Sequence, residues 1–546
     1  MNTTVISRRI VLFIVLVLSL FISGGCGSAQ TEVTSVMTEA AAGVPPAPGA
    51  GDAPYVFDYD FSGRETSLPI PSAQKLPCWK GFNLLNLFNA GSRKTFDEDE
   101  FKLISELGFN FVRLPMDYRC WAGAGGWDGV SEPVLAQIDN ALEYCIKYDI
   151  HLCLNLHRAP GYTVASPPET ADLWAQADAQ EAFAAMWGMF AARYKYVPNE
   201  YLSFNLVNEP PDIDENIYAA VMGKAAEAIR AQCPERLIIA DGLNYGMKPS
   251  RMLKEIGLAQ STRGYQPFGI THYKADWITG SDSFPAPAWP FISLPQYLYG
   301  FAKRDMRSAY IIEFNFQDEY QMDVNVGVVS NSARLVVKAD GATVFERLFE
   351  SKAGTGEWKK EVYAKEWNIY QNVYDKDYRA VIPAGTRAVT LEVTDGDWMS
   401  VNAIKFAPAS GNGPEFSVIP NNSGWGEKIP RVIIDADGGV IPGEEGVIDR
   451  AALMETYLKP WIELKDGGCG VIAGEWGVYN KTPHGVALNW MGDMLQNFED
   501  AGIGWALWNF ADAFGVFDSG RADVEYENYA GRKLDREMLD LLRRYL

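Results

Sequence analysis

Strand-like and helix-like stretches alternate through most of this chain, and that rhythm constrains its fold more than any other feature. The apolar runs GFNLL at 81, FNFVRLP at 109, IHLCLNLH at 150, YLSFNLVNE at 201, RLIIADG at 236 and FGITHY at 268 read as strands. Between them lie helical patterns at 97–107, 132–148, 180–195, 215–232 and 249–257. In EPVLAQIDNALEYCIKY, Leu135, Ile138, Leu142 and Cys145 recur every three or four residues and mark one face of a helix. Strand followed by helix, repeated every roughly 30–50 residues, means parallel βα units. The rhythm stops after Tyr273 and returns with a helical pattern at 450–465, GVIAGEWG at 470, a helix at 485–501 and GIGWALWNF at 502. KLDREMLDLLRRYL closes the chain as a last helix. Eight such strands are the number that closes a (β/α)8 TIM barrel.

The gap between the sixth and seventh runs is then an insertion. Its middle, 310–410, alternates apolar and polar residues around Asp-Gly turns and holds no long helical pattern. That texture predicts a β-sandwich of jelly-roll type. Modules of this shape resemble small carbohydrate-binding domains, but a fold does not by itself carry a function, so propping a loop is an equal expectation. The expected organisation is a signal-type segment at 1–26, a tether at 27–54, the first part of the barrel at 55–309, the insert at 310–410 and the rest of the barrel at 411–546.

The N-terminus reads as a targeting segment. Arg8 and Arg9 precede the apolar run from Ile10 to Ile22 and the small residues of SGGC. The run is short for a membrane span. It resembles a bacterial lipoprotein signal, which would make Cys26 the acylated end and the membrane a partner only through that lipid. Ordinary secretory cleavage is the alternative. The tether ends in GVPPAPGAGDAP, a composition that does not pack. Either route implies export, to the cell surface or outer membrane, the periplasm or the medium. An exported chain could pair some of Cys78, Cys120, Cys145, Cys153, Cys233 and Cys469, or keep them as buried apolar residues. Their spacing fits no zinc pattern, and the chain holds 4 His, so neither a metal nor a cofactor is expected. A net charge of −22 with no basic stripe argues against a nucleic-acid partner. The chain is expected to act as a monomer.

Active sites of parallel barrels lie at the C-terminal ends of the strands. Strand two ends in Arg113, strand three in His157, strand four in Asn208 and Glu209, and strand seven in Glu475. FGITHY, taken as strand six, ends in His272 and Tyr273, and strand eight carries Trp505 and Trp508. Glu209 and Glu475 therefore converge on one mouth. A lone Glu at a strand end is most simply a solvated charge, but two with an amide, an Arg and aromatic neighbours suit glycoside hydrolysis. The chain has 16 Trp and 26 Tyr, side chains that stack on the apolar faces of sugars. Trp121, Trp127, Trp174, Trp277, Trp289 and Trp476 fall in or near βα loops. One or two of them are expected at outer subsites, and core packing accounts for any single one equally well.

NLVNEP, LHRAPG, FVRLP, AGEWG and GWALWNF are similar, in order, to the motifs of glycoside hydrolase family 5 in clan A. The resemblance runs from about 79 to 310 and again from about 430 to 546. FGVFDSGRADVEYENYAGRKLDREMLDLL also looks like a C-terminal signature of bacterial members. It implies a retaining, cellulase-like enzyme with Glu209 as acid/base and Glu475 as nucleophile. It further implies that Asn208 holds the sugar 2-hydroxyl and Arg113 keeps Glu475 ionised. His157 and His272 would bind hydroxyls or tune the two Glu, and Trp508 would lie under the reacting sugar; Trp476 is a further candidate for substrate binding. The family's strand six ends in His, any residue, Tyr, whereas THYKADWITGSD has His272 and Tyr273 adjacent. Either one of the two is displaced by a residue or a bulge re-aims them. Tyr273 would be the partner of the nucleophile, or a packing tyrosine.

The leading expectation is an endo-β-1,4-glucanase acting on β-1,4 or mixed-linkage β-glucan. The same chemistry on β-mannan, β-1,3-glucan or short β-glucosides is the second, because a few loop residues decide the sugar. A surface lipoprotein that binds glycan without cutting it is the third, and the intact pair of carboxylates argues against it.

Overall fold

The computed structural model describes residues 55–546 except 124–125, 128, 279–280, 285, 365–366, 422–424 and 444–445. The signal-type segment, Cys26 and the tether lie outside the described residues. The chain forms two compact units. One runs up to Tyr265 and continues over Met454–Asn480 and Met491–Leu546; the other holds Gln266–Leu453 and Lys481–Trp490.

The first unit is a parallel barrel. Its strands are β1 (Lys80–Asn83), β2 (Phe111–Asp117), β3 (His151–Ala159), β4 (Leu202–Asn205), β5 (Ile238–Asp241), β6 (Ala259–Gly264), β7 (Val471–Trp476) and β8 (Gly504–Leu507). They pair in parallel in the order β2-β1-β8-β7-β6-β5-β4-β3, and β2 pairs with β3 to close the ring. Helices follow the strands, and their caps are written in the sequence. The Asp97 side chain accepts from the amide of Asp99 at the start of Glu98–Glu106, and Asp214 accepts from Asn216 and Ile217 at the start of Glu215–Gln232. On Glu132–Lys147, the expected stripe of Leu135, Ile138, Leu142 and Cys145 is buried.

Alternation along each strand sorts the barrel interior into layers. The lower layer is apolar: Trp79, Phe111, Cys153, Leu237, Ile239, Ala259, Ile472 and Ala506 form one cluster. His151 belongs with it, stacked on Trp79 at 3.8 Å and kept neutral by burial, which lowers its pKa to about 3. Two residues further along the same strands the inward positions turn polar, to Arg113 on β2, Asn155 on β3, Asp241 on β5 and Ser261 on β6. Asn83, Arg113, Asn155, Asn205, Asp241, Ser261, Arg263 and Glu475 are all buried. The apolar layer makes the barrel, and the polar layer above it makes the site.

Strand six differs from the expectation. FGITHY is not a strand: Phe268–Thr271 is a short helix in the second unit, and the sixth barrel strand is AQSTRG, Ala259–Gly264. Its polar residues hide it from a search for apolar runs, yet every one is buried and satisfied. Gln260 exchanges two hydrogen bonds with the backbone of Ser250, and Thr262 donates to Gly246 O.

The second unit is β-rich. Its ten-stranded sheet is built on two long antiparallel strands, Tyr320–Ala339 and Ala388–Pro408. Tyr320–Ala339 pairs with Ile369–Ile382 along its first half and with Ala342–Glu350 along its second, and register shifts between Ser330 and Ala333 separate the halves. Such bulges bend a strand. The bent sheet encloses a core that includes Tyr310, Met322, Val324, Leu335, Leu391, Ile404 and Phe406. Strands at Tyr297–Tyr299, Phe416–Val418, Val432–Ile434 and Val440–Pro442 carry it beyond the 310–410 stretch on both sides. The six cysteines Cys78, Cys120, Cys145, Cys153, Cys233 and Cys469 are free, four of them buried, so there is no disulfide among the described residues.

Candidate active site

Five charged side chains meet in the polar layer. Arg113, at the centre of β2, reaches four acceptors: Asn205 Oδ1 at 2.9 Å through Nε, Asn83 Oδ1 at 3.0 Å and Glu475 Oε1 at 2.5 Å through Nη1, and Asn208 Oδ1 at 2.9 Å through Nη2. A second guanidinium, which the sequence reading missed, stands beside it. Arg263 at the end of β6 donates through Nε to Glu209 Oε1 at 3.0 Å, and its Nη2 meets Asn208 Oδ1 at 2.8 Å, Glu475 Oε1 at 3.3 Å and Asp241 Oδ2. One edge of one side chain thus touches both carboxylates. The signal for it was present, since Arg263-Gly264-Tyr265 has the spacing expected of a strand-six motif.

Tyr265 takes the place expected of Tyr273. Its hydroxyl lies 3.3 Å from Glu475 Oε2. His272 and Tyr273 follow the short helix in the second unit, where His272 Nδ1 lies 2.9 Å from Thr271 Oγ1 and Tyr273 is buried. They are not at a strand end, and the displacement they suggested does not exist. A bulge does occur, but on β7: the register against β6 shifts between Ala473 and Glu475. Strict alternation would turn Glu475 away from the interior once Gly474 points in; the extra residue turns it back. Gly474 has to lack a side chain, because a Cβ there would sit 2.4 Å from Ser261 Oγ and 3.3 Å from Arg263 Nη1.

Glu209 is held by its backbone. It has φ 47°, a left-handed conformation rare for a side chain of its kind and found where a structure over-determines it. Here its amide donates to Asp241 Oδ2 at 2.9 Å and its carbonyl accepts from the Tyr162 hydroxyl at 2.5 Å. Asp241 also accepts from Asn205 Nδ2 at 2.9 Å. The Glu209 side chain is 17% exposed and that of Glu475 4%. Burial first, then the charge of Glu475, push the Glu209 carboxyl up to about 7, with Asp241 adding to the rise and Arg263 opposing it.

Two nitrogens of the site are left over. Asn208 Nδ2 and His157 Nδ1 are buried with no hydrogen-bond partner. Burial, with Arg113 and Arg263 adding to it, holds His157 well below the usual imidazole range, so its ring is neutral. It stacks 5.7 Å from the half-buried Trp508, and Phe88 packs against both rings. Trp476 is fully buried, edge-on to Phe498 and Trp505 at 5.5 and 5.4 Å, and serves the core rather than a sugar. Trp505 is likewise buried. Among the loop tryptophans Trp121 is buried and Trp277 is 42% exposed. No group of three or more His, Cys, Asp and Glu among the described residues is placed to hold a metal ion.

Residues 72–263 match the family model "Cellulase (glycosyl hydrolase family 5)". Endoglucanase C of Acetivibrio thermocellus is 28% identical over 249 residues, which cover 43% of this chain and 71% of that protein. Cellodextrinase A of Ruminococcus flavefaciens is 28% identical over 195 residues, covering 33% of this chain and 54% of that protein. A crystal structure of a glycoside hydrolase is 27% identical, covers 86% of this chain and 99% of its own, and superposes with a TM-score of 0.54. The fold agrees with these matches: residues 72–263 of the barrel are similar to glycosyl hydrolase family 5, and the relatives and the solved structure point the same way.

Proposed function

We propose that this protein is a retaining endoglucanase that cuts β-1,4 or mixed-linkage β-glucan, with Glu475 as nucleophile and Glu209 as acid/base. The observation that carries the reading is the single guanidinium edge of Arg263 that touches both carboxylates. Two carboxyls so close suit direct displacement, which works at about 5–5.5 Å, better than the wider gap that must admit a water. Glu475 Oε1 is taken by Arg113 and Arg263, so Oε2, beside the Tyr265 hydroxyl, is the atom offered to the anomeric carbon. Glu209, pushed up to about 7, starts with the proton that the leaving oxygen needs.

Asn208 Nδ2, unpartnered and buried, is offered to the 2-hydroxyl of the reacting sugar, where a hydrogen bond strengthens as charge develops. His157 Nδ1 is a second donor or acceptor for sugar hydroxyls, and Trp508 is a stacking face. The choice of β-glucan is supported by the relatives named endoglucanase. For the second unit we propose glycan binding at the paired rings of Tyr363 and Tyr370, 5.0 Å apart, Tyr363 being exposed. Export and a lipid on Cys26 are proposed from the sequence alone.

The test is product analysis on mixed-linkage β-glucan, carboxymethyl cellulose, glucomannan, mannan and laminarin, with Glu475→Gln alongside. Rapid shortening of the first two by the wild type, absent in the variant, is expected. Cleavage of mannan or laminarin alone would move the substrate and keep the chemistry. Binding of a polymer without cleavage would overturn the enzymatic reading.

A further inference from the structure

Two guanidiniums and three carboxyls meet in the site, so its charges balance when one carboxyl is neutral. Arg113 and Arg263 are cations at any working pH. Asp241 is fully buried, pinned by Asn205, by the Glu209 amide and by Arg263. With Asp241 and Glu475 ionised, two positive charges meet two negative ones, and Glu209 is left to be neutral. We propose that Arg263 is the fixed cation across which Glu475 and Glu209 exchange one negative charge during turnover, and that Asp241 is the positioning counter-charge that keeps the exchange neutral. The inference rests on the two-carboxylate chemistry proposed above.

The exchange follows from the bonds made and broken. In the first half-reaction a Glu475 oxygen bonds to the anomeric carbon, the bond to the leaving oxygen breaks, and the Glu209 proton passes to that oxygen. Glu475 changes from anion to neutral ester and Glu209 from neutral acid to anion. In the second, a water oxygen bonds to the anomeric carbon, a water proton goes to Glu209, and the ester bond breaks and returns the charge to Glu475. The sum over the five groups is zero in the free enzyme and zero in the intermediate. A buried site of low polarity penalises any state with an unbalanced charge, so neither half-reaction carries that penalty.

Arg263 has the geometry for this. Its Nε faces Glu209 and its Nη2 faces Glu475, so the cation need not move when the charge does. A histidine, the residue expected at this place by resemblance, has one ring nitrogen to offer on a given side and gives up its charge when buried. The arginine therefore brings a permanent positive charge into the barrel, and the buried Asp241 on the neighbouring β5 offsets it. Nη1 of the same guanidinium is tied to Ser261 Oγ at 3.0 Å and to Thr262 O at 3.1 Å, which fixes its plane. The charged groups facing Glu209 are Arg263, Glu475, Asp241 and, through Asn208, Arg113. The other titratable neighbours stay neutral: burial holds Tyr162 and Tyr265 well above and His157 well below their usual ranges, and pushes Tyr245 up to about 12.

The experiment is the pH dependence of kcat/KM for the full chain on cellotetraose, whose leaving group needs a proton, and on 2,4-dinitrophenyl β-cellobioside, whose leaving group does not. Asp241→Asn leaves one positive charge in excess, so Glu209 loses its proton more easily. The alkaline limb on cellotetraose is expected to move down by about one pH unit or more, with no alkaline limb on the aryl glycoside. The double variant Arg263→His with Asp241→Asn removes one charge of each sign, and its limb is expected to return to the wild-type position. An unmoved limb in Asp241→Asn, or a double variant shifted as far as the single one, overturns the proposal. If Asp241→Asn does not fold, the double variant decides alone: a folded protein with the wild-type limb supports the proposal, and an unfolded one or a shifted limb overturns it. Failure of the wild type to cleave either substrate would instead sink the two-carboxylate reading, and this inference with it.

Discussion

Replacing Glu209 with glutamine is expected to stabilise the barrel above neutral pH while leaving its stability in mild acid unchanged. The side chain is 17% exposed, and burial together with the Glu475 charge raises its carboxyl from 4.5 to about 7. A carboxyl raised in this way contributes most below its unfolded value. Its contribution is lost as pH rises through the folded value, because the unfolded chain ionises freely and the folded one does not. The window therefore runs from 4.5 to about 7. At about 1.4 kcal/mol per pH unit, the full difference is about 3 kcal/mol, an upper bound given the residual exposure. Glutamine keeps the shape and can still accept from Arg263 Nε, but it cannot ionise. Calorimetric melts of both proteins between pH 4.5 and 8 should coincide at the acid end. They should separate by a few degrees, the variant higher, at the alkaline end. A gap that is flat with pH, or that closes as pH rises, would refute the assignment of Glu209 as a carboxyl kept protonated by its surroundings.

The same variant should lose about 10²–10⁴-fold in kcat on cello-oligosaccharides and much less on an aryl glycoside with a good leaving group, as steady-state kinetics would show. Asn208→Ala removes the free Nδ2 donor and the acceptor shared by two guanidiniums. It should reduce kcat/KM by at least tenfold to a hundredfold, the equivalent of about 1–3 kcal/mol, and a 2-deoxy substrate should lose less in the variant than in the wild type. Gly474→Ala forces a methyl to within 2.4 Å of Ser261 Oγ. The overpacking should cost about 1–3 kcal/mol in a thermal melt, with kcat falling as Arg263 is displaced.

Much of the site was legible because strand ends are where parallel barrels place their chemistry. Asn208 and Glu209 at the end of SFNLVNE, Glu475 in AGEWG and Arg113 in FVRLP were read from position and residue type, and they meet within hydrogen-bonding distance of shared guanidiniums. Arg263, Tyr265 and Asp241 were not read as site residues. Arg263 belongs to, and Tyr265 follows, a strand in which Gln260, Ser261, Thr262 and Arg263 run consecutively and are buried among polar partners, so no apolar run announces it. Trp476 failed in the other direction: an aromatic beside Glu475 looks like a sugar platform, and only the bulge on β7 shows that it turns into the core.

The sequence by itself determined the architecture, because a period of two against a period of 3.6, repeated through the chain, admits few arrangements and the interruption after strand six has to be an insert. It determined the pair of carboxylates for the same reason, since their strands can end only at one mouth. The tertiary structure alone decided that a second cation, Arg263, serves them both. Whether an arginine in a polar strand faces solvent or two buried carboxylates depends on the closure of the barrel, on a one-residue bulge in β7 and on the missing side chain of Gly474. Those are properties of register and distance between strands far apart in the chain, and local pattern does not encode them.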